Sequence, residues 1–312
     1  MVRAGNGFGR AWRWHGNCDR VCPRRKQLES VDHSPKYDGP VLAETTGYVL
    51  GTNPAEQRRL QQQSLDFAEQ SAWLLDQAGI QPGWRVIDIG CGPRGVLELM
   101  AARVGPSGRV VGLEQNAEHA ALAEAFARAK GLETVTIMQG DVLGNDLPKS
   151  SFALAHERTV LVNVPDPEAA LRAMVELVRP GGVVVCQDPD QSARVCDPPH
   201  PAWDRLTELL FKAWRRHGAD PCLGRRLPGM VRRAGLESVG VNLYAVETGI
   251  DHPRRFTFLT FIDNLREAIV VGGLCRAEEL DQDVRALRAH LEDPETTVVS
   301  SLFYQVWGRK PD

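Results

Sequence analysis

Apolar positions along this chain follow two periods that take turns. Short runs rich in β-branched residues read as buried strands at Arg85–Ile89, Arg109–Leu113, Val135–Met138, Phe152–Ala155 and Val183–Cys186. Between them, stretches of helical period predict helices over Val96–Val104, Ala117–Lys130 and Glu168–Val178. Strand alternating with helix predicts an α/β fold with a parallel sheet, helices on both faces and right-handed crossovers. Ahead of this core, Leu60, Phe67 and Leu74 recur every seven residues, with Ser64 and Ser71 on the same face. They predict one helix from Pro54 to Ala78, capped by Asn53 and ended by Gly79. After the fifth strand the simple alternation stops. A helix over Trp203–His217 lies between Pro198-Pro199 and Asp220-Pro221, and another covers Leu227–Ala234. A sixth strand follows at Ser238–Val246, then two or three helices within Asp251–Glu292, then a closing strand over Thr296–Trp307. The stretches 192–224 and 250–294 therefore read as helical insertions before and after strand six.

The first strand breaks into Gly90, Gly92 and Gly95 just where a helix begins. Glycine lets a ligand approach the backbone, and a helix start offers free N–H donors, so the turn reads as a ligand cradle. Its spacing fits a dinucleotide fingerprint. Asp88, two residues before Gly90, argues against that ligand, because its carboxylate would repel a pyrophosphate. It suits a ligand with a cationic or hydroxyl-rich end. S-adenosylmethionine has an ammonium, a sulfonium and a ribose, and no phosphate. The run Val86-Ile-Asp-Ile-Gly-Cys-Gly92 resembles motif I of the class I S-adenosylmethionine-dependent methyltransferases. The resemblance extends over about residues 45–310. It implies a Rossmann-like seven-stranded sheet whose last strand, near Trp307-Gly-Arg-Lys310, inserts antiparallel.

The same resemblance implies a set of cofactor contacts at the strand ends, where topology alone also places ligands. Asp88 and the backbone of Gly90, Cys91 and Gly92 belong to the cradle. Glu114, with Gln115 beside it, would accept from the ribose hydroxyls; the plainer reading of Glu114 is an acid at a helix start. Asp141 would take the adenine amino group and the Val142 N–H would reach the ring; the plainer reading of Asp141 is a turn aspartate. Tyr48 and Arg59 match a lead-in segment that covers the cofactor's methionine end. His156 and Glu157 fall where methyl group and acceptor should meet, with His156 as general base or else as a cofactor-binding residue that shapes the pocket or packs under it. Phe152-Ala153 departs from the family's usual Phe-Asp. Asp188 and Asp190, around Pro189, read as turn residues, and no metal is expected. In this family the insertions tend to roof the acceptor. His200, Trp203, Phe211, Trp214, Phe256, Phe258 and Phe261 lie in them and suit an apolar or aromatic acceptor.

Composition narrows the classes further. A chain of 312 residues, 43% hydrophobic and 25% charged, fits one methyltransferase domain over 41–312. A net charge of −3 gives no reason to expect nucleic acid or an anionic membrane. No apolar run approaches the ~20 residues that span a bilayer. Seven scattered cysteines suit a reducing cytoplasm. Residues 1–40, rich in Arg, Gly and Trp and without period, read as a disordered extension or as lying ahead of the true start. His15, Cys18, Cys22 and His33 there match no zinc spacing. The expected activity is methyl transfer to a small molecule, a secondary metabolite among the candidates. An RNA or protein substrate is disfavoured by the lack of a basic stripe with interleaved aromatics. A nicotinamide oxidoreductase is disfavoured by Asp88 and the closing strand. A cofactor-binding protein without turnover stays open, as does homo-oligomer formation.

Overall fold

The computed structural model of this protein describes Leu50 and residues 54–312. Tyr48, Asn53 and the 1–40 extension lie outside the described residues. The helix expected over 54–78 is two helices, α1 (Pro54–Asp66) and α2 (Ala68–Gln77). Phe67 leaves helical dihedrals at φ −99° and ψ 4°. Tertiary packing sets that break: the Phe67 ring lies edge-on to Phe303 at 4.8 Å between centroids. Ser64 and Ser71, on the packed face, meet a cation. Arg158 donates to both hydroxyls at 3.0 Å, and Ser71 donates on to Gln187 at 3.3 Å. The two helices are thus tied to the sheet by a buried polar chain as well as by apolar burial.

Then come β1 (Arg85–Ile89), α3 (Leu97–Val104), β2 (Arg109–Glu114), α4 (Ala117–Ala129), β3 (Val135–Gln139), β4 (Phe152–Arg158), α5 (Pro167–Leu177) and β5 (Val178–Asp190). Beyond them lie β6 (Val195–Asp197), α6 (Pro201–Arg216), α7 (Leu227–Arg233), β7 (Glu237–Tyr244), α8 (Thr257–Asn264), α9 (Arg266–Val270), α10 (Ala277–Leu291), β8 (Thr297–Val299) and β9 (Leu302–Arg309). The main sheet has seven strands in the order β3-β2-β1-β4-β5-β9-β7. The first five in sequence run parallel, and β9 inserts antiparallel between β5 and β7. Strand order reverses beside β1, which places a ligand crevice at the C-terminal ends of β1 and β4.

Side chains alternate across this sheet. Ile87, Val111 and Val184 join the α5 and α7 layer with Leu171, Met174 and Met230. Val86, Val110 and Leu154 join the α2 and α3 layer with Leu74, Leu97 and Met100. Burial on both faces is why these strands read as near-continuous apolar runs. Each large side chain so buried contributes ~1.5–3 kcal/mol.

Two strands outrun their expected ends. β4 continues through His156, Glu157 and Arg158. β5 starts at Val178 and runs to Asp190. Arg179-Pro-Gly-Gly182 bulges out between the Phe152–Val178 and Leu154–Val183 pairs. Asp188 is therefore a buried strand residue paired with Tyr304, which corrects its reading as a turn residue. Asp190, paired with Leu302, ends the strand and also caps the turn after it, accepting from the Ser192 amide at 3.0 Å. Pro189 is tolerated because β4 ends its pairing at Gln187. The closing strand is likewise two. β8 pairs with β6 in a separate ribbon, and only β9 joins the main sheet.

The two insertions meet in a third core. Trp203, Leu206 and Leu210 of α6 pack with Phe258, Leu259 and Ile262 of α8 and with Leu287 and Leu291 of α10. Arg255, 2% exposed, organises the loop beside them. Its guanidinium donates to the carbonyls of Thr248 (2.7 Å), Leu291 (2.8 Å), Asp293 (3.0 Å) and Thr296 (2.6 Å).

One buried pair behind the strand ends has a measurable cost. Glu157 accepts from the Val160 amide at 3.0 Å and the Gln187 amide at 3.1 Å. Asp188 accepts from the Val162 amide at 3.2 Å, while its Oδ2 meets no N–H or O–H donor. The neighbouring Glu157 carboxyl satisfies Oδ2 only if one of the two acids is protonated. Burial first, and the Glu157 charge second, hold Asp188 well above the usual carboxylate range. Burial pushes Glu157 up as well. The folded chain thus keeps a proton that the unfolded chain releases. Stability is full below the ordinary carboxylate range and falls as pH rises towards the raised value. Thermal midpoints measured from pH 5 to 9 should fall for the parent chain and fall less for Asp188→Asn, whose amide donates to Glu157 without titrating. Parallel profiles for the two proteins would contradict the shared proton.

Candidate active site

The cradle is built around Asp88, which is 2% exposed at the end of β1. One carboxylate oxygen accepts from the Val96 amide at 3.1 Å, at the start of α3. The other lies 2.7 Å from His156 Nδ1 on the paired strand. A negative charge at a helix start is favourable in itself. Gly95 has φ +52°, and a Cβ there would come within 2.3 Å of the Asp88 carboxylate and 2.7 Å of the Cys91 carbonyl. Only glycine closes this turn. Gly90, at φ +59°, is equally restricted, since a Cβ would meet Val160 at 2.5 Å.

Glu114 ends β2 beside the same turn. It accepts from the Gly92 amide at 2.8 Å and from the Asn116 amide at 2.9 Å. Each carboxylate oxygen has a second lone pair, so capacity for a ligand hydroxyl remains. Asp141 follows β3 and closes its own turn through the Leu143 amide at 2.9 Å, as the plainer reading expects, while Gln115 donates to its other oxygen at 3.2 Å. Asp88, Gly90, Cys91, Gly92, Glu114, Gln115, Asp141, Val142 and His156 all line one cavity of about 430 Å³. That volume is in the range of small-molecule sites. The Cys91 thiol is buried and held up by that burial, so Cys91 offers its backbone rather than a thiolate.

A second cavity of about 450 Å³ opens between the end of the sheet at Pro189 and Phe303 and the helical insertions. Phe67, Trp203, Trp214, Phe256, Phe258 and Phe261 contribute aromatic walls. Phe211 and His200 do not line it. Phe211 packs against the α6 core, and His200 stacks on His290 at 4.8 Å. Gln63, Thr159 and Asn163 line both cavities and form the seam between them. Thr159 sits at φ +57°, a conformation that β-branched residues avoid. Asn163 donates to the Thr159 carbonyl at 2.8 Å, which fixes its amide, and leaves its Oδ1 buried without a donor.

The expected residues divide between these places. Arg59 lines the second cavity, paired with Glu56 at 2.6 Å, so it lies away from the cradle. His156 lines the first cavity and does not line the second. Asp88 takes the Nδ1 hydrogen, and Nε2 is buried without a partner. Glu157 lines neither cavity and is fully buried on backbone amides and Asp188. The general base expected at His156 or Glu157 thus has no place at the second cavity. Among the described residues, no group of three or more His, Cys, Asp or Glu is placed to hold a metal, and no helix is long and apolar enough to cross a membrane.

Asn163, Arg194 and Arg254 are missing from the sequence reading. Asn163 ends a short 3-10 turn over Leu161–Asn163, Arg194 and Arg254 stand in loops, and only the fold brings the three to a cavity. Arg194 donates from Nε to the Gln191 carbonyl at 3.1 Å, and both terminal nitrogens are buried without partners. Burial pushes this guanidinium down to about 9.

Comparison with known proteins agrees with this geometry. A family model described as a methyltransferase domain matches residues 80–217. An uncharacterized 37.1 kDa protein of a Streptomyces fradiae transposon is 31% identical over 68% of this chain and 59% of its own length. This chain spans little more than half the length of several other curated relatives. A demethylmenaquinone methyltransferase of Bacillus cytotoxicus is 30% identical over 60% of this chain and 86% of its own length. Among solved structures, the YcgJ protein of Bacillus subtilis superposes with a TM-score of 0.53 at 18% identity, over 78% of this chain and 99% of that one. Together with the sheet order and the Asp88 cradle, the alignment with a named methyltransferase over most of its length places this chain in the class I S-adenosylmethionine-dependent methyltransferase family.

Proposed function

We propose that the protein transfers a methyl group from S-adenosylmethionine, held in the first cavity, to a small molecule held in the second. The observation that carries this reading is the seam: two cavities of small-molecule size meet at Gln63, Thr159 and Asn163. The cradle residues fit such a cofactor. Asp88 and Glu114 bring negative charge and hydroxyl acceptors, the guanidinium of Arg158 on the lining is taken up by Ser64 and Ser71, and His156 Nε2 is a buried ring nitrogen without a partner. Asp141 and Val142 lie at the adenine end by analogy with the family. When bound, S-adenosylmethionine supplies a methyl carbon already activated by the sulfonium. The protein's task is then alignment and exclusion of water, and alignment alone can contribute ~7–11 kcal/mol.

At the seam, Asn163 Oδ1 is placed to accept a hydrogen bond from the acceptor's O–H or N–H. Such a bond would aim a nucleophile lone pair at the first cavity. An amide oxygen does not carry off a proton, so this arrangement favours an acceptor whose nucleophile is already reactive or loses its proton to solvent. The aromatic walls favour a flat or apolar body.

Two outcomes test the reading. Glu114→Ala should weaken S-adenosylhomocysteine binding by about ten- to a hundredfold in calorimetry, the loss of ~1.5–3 kcal/mol for hydrogen bonds to a charged group. Unchanged affinity would remove Glu114 from the site, and tight binding of a nicotinamide dinucleotide alone would end the methyltransferase reading. Asn163→Ala should keep S-adenosylhomocysteine affinity within about threefold yet cut transfer of labelled methyl groups into metabolite extracts by tenfold or more. Equal losses in binding and transfer would place Asn163 at the cofactor instead.

A further inference from the structure

The second cavity is charged in a way that its aromatic walls conceal. Among the described residues, Arg58, Arg59, Arg194, Arg254 and Arg255 line it, against one carboxylate, that of Asp66. Two of these cations have tasks elsewhere. Arg255 is bound to four carbonyls, and Arg59 is paired with Glu56. Arg194 is different. Its Nε is held by the Gln191 carbonyl, and its guanidinium carbon lies 4.0 Å from the Phe258 ring centroid and 5.5 Å from that of Trp203. The two rings hold the guanidinium in place and give it no hydrogen-bond acceptor. Both terminal nitrogens are out of solvent and without partners. Native proteins leave few buried donors in this state, and a charged one costs more than a neutral one. A planar pair of N–H donors at fixed spacing matches two oxygens of a planar anion. Arg254 adds a second partly buried cation, stacked 4.5 Å from the Phe67 ring centroid on the sheet side of the cavity.

We propose that Arg194 is the anion-binding residue of this cavity, and that the methyl acceptor is an aromatic or apolar molecule bearing a carboxylate that Arg194 holds through its two terminal nitrogens. The assignment rests on the reading of the second cavity as the acceptor site. It deepens that reading by naming what fixes the acceptor's far end. The Gln191–Arg194 turn stands on the cap side, while the seam at Gln63, Thr159 and Asn163 adjoins the cofactor cavity. An anion anchored at Arg194 would leave the rest of the acceptor extending along the aromatic walls towards the seam.

The test uses the full chain saturated with S-adenosylhomocysteine and three probes of one size: benzoate, phenyl phosphate and benzamide. Binding is read by tryptophan fluorescence, to which Trp203 contributes, and by the thermal midpoint. Benzoate should bind saturably and at least tenfold more tightly than benzamide. Arg194→Met should abolish that preference while leaving S-adenosylhomocysteine affinity within twofold, and Arg194→Lys should retain part of it. Equal responses to benzoate and benzamide in the parent chain, including no response to either, overturn the proposal. So does a benzoate preference that survives in Arg194→Met, or a response to phenyl phosphate that benzoate lacks. Should Arg194→Met fail to fold, the probe comparison on the parent chain and on Arg194→Lys still decides. Failure of S-adenosylhomocysteine to bind the parent chain would sink the methyltransferase reading separately, leaving the benzoate comparison to judge the anion site.

Discussion

The carboxylate of Asp88 is the constraint from which the cradle follows. It lies at the end of β1, where the sheet order reverses, and it is almost entirely buried. A charge in that position needs hydrogen-bond partners, and the chain supplies them from two elements, the first turn of α3 and His156 of β4. The angle at which α3 leaves the sheet, the orientation of the His156 ring and the need for glycine at 95 all depend on it. Loss of this one group would leave a buried imidazole and a helix start without partners. The carboxylate thus holds the turn together and at the same time lines the first cavity.

The second half of the site depends on a different kind of order. The seam and the aromatic cavity draw on α1, the loop after β4, α6, α8 and the segment between β8 and β9. Buried polar links tie the first helices and β7 to the central strands: Arg158 to Ser64 and Ser71, Gln187 to Tyr244 at 2.9 Å, and Gln305 to the Gln70 carbonyl at 2.8 Å, while α6 and α8 are held by their shared apolar core. Such links are directional, so they fix a geometry that apolar contact alone would leave loose. Their strength comes with exposure to single substitutions, because each leaves a buried partner unsatisfied.

The sheet and the cradle were legible because each obeys a local rule. Val86, Ile87 and Ile89 announce a buried strand, the glycines announce its turn, and Asp88 excludes a phosphate ligand by charge alone. The ends of β4 and β5 were less legible because pairing extends them: β4 through its register with β1 and β5, and β5 through β9, which lies more than a hundred residues away in sequence. Asp188 looked like a turn residue because it precedes a proline. It is a strand residue because that proline faces an unpaired side. Arg194 and Asn163 were invisible for a further reason. Their significance lies in the hydrogen bonds they do not make, and sequence records no such thing. The pairing of His156 with Asp88, and the cavity it lines, are properties of the register between two strands.

The placement of β9 bears on how the chain is made. Synthesis proceeds from the N-terminus, so β5 and β7 both emerge before the strand that lies between them. Until Leu302–Arg309 appears, the growing chain carries β5 with one open edge, and β7 has no strand to pair with. The Phe67 break and the Gln70 carbonyl also wait for partners on β9, at Phe303 and Gln305. Between the emergence of β5 and that of β9, the nascent protein carries a sheet with an unfinished margin, the state in which strands find wrong neighbours. A chain so arranged completes its sheet only once the strand between β5 and β7 has emerged, and part of the first helices' anchorage comes with that strand.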